Sequence, residues 1–172
     1  MFQLPIRTLD SEHSTGSSEL GQLPDWNLND LYTATDAKEL IRDLNWLEKE
    51  CNEFAKSYEG KLHTLSDKEM LTCIVRNEKI SSISGRIISY AGLLYYQKTT
   101  DADRAKFLSD MQEKITVFTT KLVFFSLEIN SLEDEFLDKL CKKNDQLARY
   151  KPVFEKICLL YTSPSPRDSF RS

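Results

Sequence analysis

The sequence contains little of what catalytic and metal sites are built from. It has only two histidines, His13 and His63, and neither belongs to an H-E-x-x-H motif. It contains no G-x-S-x-G motif and no phosphate-binding glycine loop. The four cysteines are scattered without a C-x-x-C pair, so we interpret Cys51, Cys73 and Cys141 as reduced, partly buried apolar residues. We therefore predict no catalytic residue, no cofactor-binding residue and no metal ligand in this chain.

Glycine, proline and long apolar runs are also scarce. Five glycines and five prolines in 172 residues favour a mostly helical fold. No apolar run approaches the roughly 18 residues of a membrane span, and Met1 to Asp10 lacks the apolar centre of a signal peptide. The formal net charge of −4, with lysines interleaved among acidic residues, argues against nucleic acid as a partner. We expect a cytoplasmic protein that binds neither nucleic acid nor membrane.

Long stripes of apolar residues at helical spacing are the dominant pattern that the sequence does contain. The clearest stripe advances in steps of three and four: Leu108, Met111, Ile115, Phe118, Leu122, Phe125 and Ile129. Such a stripe needs a partner, because one helix in water cannot bury it. We predict an all-α fold with an antiparallel bundle of three long helices (36–58, 66–98 and 102–129) and one or two short C-terminal helices. The residues predicted to be buried are Leu44, Leu47, Phe54, Ile83, Ile87, Leu94, Ile115, Phe118, Leu122 and Phe125.

Polar residues and glycine mark the predicted helix ends. The expected start signals are Asp36 with Glu39, a capping box at Ser66 and Glu69, Asp101, and Ser131. Gly60 is expected to end the first helix in a left-handed conformation. Pro152 is expected to force either an extended residue or a new helix start at Lys151.

Composition divides the chain into three parts. Residues 1–22 end in a polar run that buries too little to fold, so we predict a flexible leader. Residues 23–157 carry the helical stripes. Residues 158–172 have two prolines in three positions and no helical period, and they resemble translated sequencing adapter. We expect this last part to be non-native and exclude it from fold reasoning.

A few residues admit two interpretations. Trp26 is expected to pin an irregular segment to the helices, with ligand stacking as the alternative. Tyr90, Tyr95 and Tyr96 are expected at the core and its rim, with a ligand groove as the alternative. Arg76 interrupts the stripe of the second helix, so that end is expected to face solvent or a partner outside the chain.

Several short passages resemble the N-terminal lobe of the oligoendopeptidase F family of zinc metallopeptidases. The resemblance covers about residues 23–157 and is most specific in its opening motif. The matching residues are Leu23, Pro24, Trp26, Leu28, Asp30, Leu31 and Tyr32; Tyr58, Gly60, Lys61 and Leu62; Ser89, Tyr90 and Ala91; Thr99 and Asp101; Phe124, Phe125, Leu127 and Glu128; and Leu147 and Tyr150.

This resemblance implies that the parent protein is a zinc-dependent endopeptidase of short peptides. In that family a helical lobe covers a substrate channel, and a separate catalytic domain carries H-E-x-x-H and binds zinc. The chain would then be the first portion of such an enzyme, with the catalytic domain beyond Ile157 and no family catalytic or zinc-binding residue within it. The alternative from another functional class is a freestanding helical module that binds partner helices.

Overall fold

The computed structural model describes residues 27–162, with the side chains of Lys156 and residues 158–162 outside the description. This part of the chain contains helices and turns but no strand, which confirms the all-α prediction. A single turn of 3₁₀ helix, Leu62–Thr64, follows the first α-helix. The seven α-helices are α1 (Lys38–Tyr58), α2 (Asp67–Gln97), α3 (Ala102–Thr120), α4 (Val123–Ser131), α5 (Asp134–Lys143), α6 (Asp145–Ala148) and α7 (Lys151–Thr162).

The first helix ends as predicted but begins differently. Ala37 occupies the N-cap of α1 without any side-chain hydrogen bond, so the predicted cap by Asp36 and Glu39 is wrong. Ala37 is buried against the core, which shows that packing sets this helix start without a polar cap. At the other end Gly60 has φ +74°, the left-handed conformation that glycine adopts without steric cost.

Helix α2 begins at the predicted capping box. The Ser66 hydroxyl accepts a hydrogen bond from the Glu69 backbone N–H, and the Glu69 carboxylate accepts one from the Ser66 backbone N–H at 2.9 Å. These two bonds satisfy donors that the first helical turn leaves free. The hydrogen bonds also lower the pKa of the Glu69 carboxyl.

The third predicted helix is broken into two, which corrects the expected range of 102–129. α3 ends at Thr120 and α4 begins at Val123, with a turn between them. The Thr119 hydroxyl donates to the Ile115 carbonyl and the Thr120 hydroxyl to the Thr116 carbonyl. Such side-chain bonds to the carbonyl four residues back bend helices and compete with the backbone ladder. The sequence stripe runs through the break unchanged, so periodicity alone does not reveal it.

The C-terminal part also differs from the prediction. Ser131 does not cap α5: it is the last residue of α4, and its hydroxyl donates to the Glu128 carbonyl at 2.8 Å. Glu133 takes the N-cap position of α5. α7 starts at Lys151, where Pro152 is tolerated in the first turn. Its backbone stays helical to Thr162, inside a segment for which we predicted no helix.

Paired contacts show how the long helices lie against each other. Glu50 of α1 contacts Arg76 of α2, and Asp43 contacts Arg86. The two helices therefore run antiparallel. Helix α3 packs on both α2 and α1, and α7 packs on α4. No helix in the described part is both long and apolar enough to cross a membrane.

The predicted core residues all lie against the core, but to different depths. Five are buried: Leu47, Phe54, Ile87, Ile115 and Phe125. The other five are partly buried and pack against the same core: Leu44, Ile83, Leu94, Phe118 and Leu122. The register of the stripes was therefore correct, although Met111 and Ile115 are the buried residues of α3.

Candidate functional site

The residue types most often found in active sites are separated in this structure. His63 is exposed in the short 3₁₀ turn, whereas His13 and Trp26 lie outside the described residues. Tyr90 is buried, but Tyr96 is 65% exposed, so these tyrosines do not line one groove. Among the side chains that the structure describes, no three of His, Cys, Asp or Glu are grouped so that they could hold a metal ion. The zinc expected for the parent protein stays a prediction.

The described cysteines are poor nucleophiles. Cys51, Cys73 and Cys141 are buried and free. Burial raises the pKa of the Cys51 thiol to about 11 and that of Cys73 to about 12. Burial also raises the pKa of Cys141. Since the thiolate is the reactive species, these side chains serve as small apolar residues at neutral pH.

A buried polar network joins the opening segment to α1 and α2. The Tyr32 hydroxyl donates to Asp43 Oδ2 at 2.9 Å, and Arg86 Nε donates to the Tyr32 hydroxyl at 3.0 Å. Arg86 also forms an ion pair with Asp43, which is only 4% exposed. The guanidinium carbon of Arg86 lies 5.0 Å from the centre of the Tyr32 ring. The network satisfies the buried carboxylate and fixes three chain segments relative to each other.

The tyrosine in this network stays protonated. Burial, and then the hydrogen bond to Asp43, raises the pKa of Tyr32 to about 12. A phenol with that pKa donates a hydrogen bond at neutral pH and does not act as a base. The sequence interpretation missed Asp43, although a pattern was available. The residue lies three positions after Leu40 and four before Leu47, within the buried stripe of α1.

A second polar contact closes the loop after α1 onto α4. The Glu128 carboxylate accepts hydrogen bonds from the Gly60 backbone N–H at 2.6 Å and the Leu62 backbone N–H at 3.3 Å. Leu62 is fully buried, so the bridge secures a segment whose side chain is part of the core. We call this contact the Glu128 bridge. Gly60 and Leu62 lie 68 and 66 positions before Glu128 in the sequence.

Arg76 also has partners inside the fold. Its Nε donates to Glu50 Oε1 at 2.7 Å. Its guanidinium carbon lies 5.8 Å from the centre of the Phe54 ring and 5.4 Å from that of Tyr58. The guanidinium thus extends the aromatic core while its charge is paired. The expectation that this end of α2 faces solvent or a missing partner was wrong.

A cleft between α5 and α7 is bordered by ionisable groups. It has a volume of about 460 Å³ and is bordered by Asp134, Asp138, Lys151 and Glu155. Lys151 Nζ donates to Asp138 Oδ1 at 2.8 Å, and this bond lowers the pKa of Asp138. The cleft therefore contains an exposed ion pair and no arrangement of acid and base suited to proton transfer.

The polar residues that stand out in this part of the chain hold the fold together. Tyr32, Glu128 and Tyr90 belong to the passages that carry the family resemblance, and each makes contacts between distant segments. Comparison with protein-family models, curated proteins and solved structures found no match to this chain.

Proposed function

We propose that this chain is the helical N-terminal lobe of a cytoplasmic, zinc-dependent oligopeptidase of the oligoendopeptidase F type. In this proposal the lobe covers the peptide channel of a catalytic domain that lies elsewhere in the full-length protein. That domain supplies the zinc and the catalytic residues, and short peptides are the substrates. The lobe itself contributes shape and one wall of the channel.

One observation carries the proposal: four of the six passages that resemble the family meet in space, as two pairs. Glu128 closes the matching passage that begins at Phe124. It accepts backbone hydrogen bonds from Gly60 and Leu62 of the matching passage that begins at Tyr58. Tyr32, from the opening passage, contacts Tyr90 of the Ser-Tyr-Ala passage edge to face, with ring centres 5.4 Å apart. Matches that contact each other support a common fold more strongly than matches scattered over a surface.

The proposal places catalysis in another domain. A catalytic zinc site needs three protein ligands and an open position for the water that it activates. His63 stands alone on an exposed turn, and Cys51 and Cys73 lie in the core with raised thiol pKa values. The proposal therefore assigns no site residue to this chain.

The direct test of this assignment uses the purified chain. We expect no stoichiometric zinc after dialysis against the metal, and no cleavage of an internally quenched peptide. One bound zinc per chain together with chelator-sensitive cleavage would contradict the assignment. The matched control is His63→Ala, which is expected to change neither result.

A second candidate function is a freestanding helical module that binds partner helices. It is favoured by exposed apolar side chains on α1 and α3, where Ile41 is 49% and Val117 56% exposed. These residues border two depressions of about 400 and 280 Å³ that share Lys114 and Phe118. Apolar patches with charged rims are typical of protein contacts. The two proposals differ in the coding sequence expected after Ile157: a catalytic domain or a stop codon.

A further inference from the structure

The groove between α1 and α3 lies where a fourth helix would complete a bundle. Arg104 Nη1 of α3 donates to the Leu94 carbonyl of α2 at 2.9 Å, and the centre of the Phe107 ring lies 6.1 Å from that of Tyr90. As α3 advances, its contacts move back along α2, so α3 is antiparallel to α2. Since α1 is also antiparallel to α2, α1 and α3 are parallel neighbours. In an up-and-down four-helix bundle, the fourth helix packs against such a pair.

The floor of this groove is apolar. Leu44 of α1 and Phe118 of α3 line it and are partly buried against the core. Ile41 lines the same groove and is 49% exposed, and Val117 of the adjoining depression on α3 is 56% exposed. A partner helix with apolar residues three and four positions apart would bury these four side chains. The groove therefore fits an amphipathic helix.

The rim of the groove carries more acidic than basic side chains. Glu48 borders the groove, and Asp110 and Glu113 border the adjoining depression. Lys114 is the only basic residue that the structure describes in either lining. None of these four side chains forms an ion pair with another described residue. Lysine or arginine side chains of a partner can therefore pair with the acids without displacing an existing ion pair.

The charge of the rim decides between the possible occupants. A second copy of this chain would bring the same three acidic residues and one lysine to the interface, so like charges would meet. Residues 1–26, which precede the described part, contain four acidic residues, one arginine and no lysine. A separate partner with a basic surface has neither disadvantage.

We propose that the groove between α1 and α3 is a docking site for a basic amphipathic helix of a partner protein. The apolar face of that helix packs on Ile41, Val117 and Phe118. Its lysine or arginine residues pair with Glu48 and Glu113. This inference rests on the second candidate function, the helical interaction module, and names the class of partner that the module binds.

The probe is a helical peptide of leucine and lysine with its leucines at helical spacing, titrated into the ¹⁵N-labelled full chain. We expect saturable amide shifts at groove residues such as Asn45 and Val117. A matched peptide with glutamate in place of every lysine is expected to bind at least about tenfold more weakly. Equal binding of the two peptides at the groove overturns the proposal but leaves the helical module standing. No saturable shift at the groove with either peptide overturns both.

A pair of double variants tests the charges. Glu48→Gln combined with Glu113→Gln is expected to weaken binding of the leucine–lysine peptide about fivefold, because two exposed ion pairs are lost. Glu133→Gln combined with Glu135→Gln removes two exposed acids at the start of α5 and is expected to leave binding unchanged. Equal loss in both double variants would show general attraction to an acidic protein and overturns the proposal.

Val117→Ser tests the apolar contact, with Val75→Ser as the matched control because Val75 of α2 is 46% exposed. Both positions are at the surface, so both variants are expected to fold, and thermal unfolding checks this. Val117→Ser is expected to weaken peptide binding about fivefold, whereas Val75→Ser leaves it unchanged. Equal binding by the two variants contradicts the proposal. Sedimentation of the chain alone tests the other occupant, since a dimer that Val117→Ser disrupts would assign the groove to a second copy and also contradict it.

Discussion

Replacing Asp43 with asparagine should destabilise the fold more than its single lost charge suggests. The carboxylate is 4% exposed, and its two oxygens accept from Tyr32, Arg86 and Arg42. Asparagine has nearly the same shape but only one acceptor oxygen. The amide oxygen can take the place of Oδ2, which accepts from Tyr32 and Arg86, so that the NH₂ group faces the exposed Arg42. The two buried bonds then lose the carboxylate charge that strengthens them.

The structure sets the magnitude of this loss. The Arg42 side chain is 70% exposed, so its contact with Asp43 contributes little. The Arg86 side chain is 38% exposed, so solvent partly compensates for the lost charge of its partner. A hydrogen bond to a charged group contributes about 1.5–3 kcal/mol, and we take about 2 kcal/mol for Asp43→Asn after this screening. For a domain of this size the midpoint of thermal unfolding should fall by roughly 4–8 °C.

Urea and thermal unfolding followed by circular dichroism at pH 7 measure this change. Asp110→Asn is the matched control, because Asp110 is exposed on α3. The control should shift the unfolding free energy by less than about 0.5 kcal/mol. A double-mutant cycle with Tyr32→Phe should give a coupling energy of about 0.5–1.5 kcal/mol. The reasoning is refuted if Asp43→Asn loses no more stability than Asp110→Asn.

Three further predictions follow from the same geometry. Glu128→Gln should lower the unfolding free energy by about 1–2 kcal/mol, since the amide oxygen cannot replace both carboxylate acceptors for Gly60 and Leu62. Unchanged urea denaturation would refute the stabilising role of the Glu128 bridge. Gly60→Ala should destabilise the fold by roughly 1 kcal/mol because of the positive φ. Gly85→Ala has open space for its Cβ and should stabilise the fold by about 0.5–1 kcal/mol. A change of the same sign for both variants in thermal unfolding would contradict this. Folding raises the thiol pKa of Cys73 from 9.0 to about 12, so the unfolded state loses its proton first and stability should fall as pH rises above 9.0. Urea titrations in reducing buffer at rising pH should show a flatter dependence of stability on pH for Cys73→Ala. An unchanged dependence would refute this.

The sequence predicted the parts of this fold that depend on local patterns. Apolar spacing gave the long helices, and the capping box at Ser66 and Glu69 gave the start of α2, because both patterns act within a few residues. The break after Thr120 escaped, since a short irregularity leaves the apolar spacing intact. Ser131 was misassigned because a serine hydroxyl can either cap the next helix or bond back to its own.

The polar contacts were less predictable, for a different reason. Asp43 and Arg76 interrupt apolar stripes, and their partners come from other elements, so the sequence alone suggests exposure. The Glu128 bridge spans 68 residues and carries no local pattern. Contacts of this kind depend on which helix faces meet, which periodicity does not specify.

The most direct test of the proposed peptidase lobe is to read the coding sequence downstream of Ile157 in the source genome. The proposal predicts that the frame stays open into a further domain carrying H-E-x-x-H and a more distant glutamate, the residues that such an enzyme needs to bind zinc. A stop codon shortly after Ile157, or an open frame without that motif, would contradict the peptidase assignment and favour the helical interaction module.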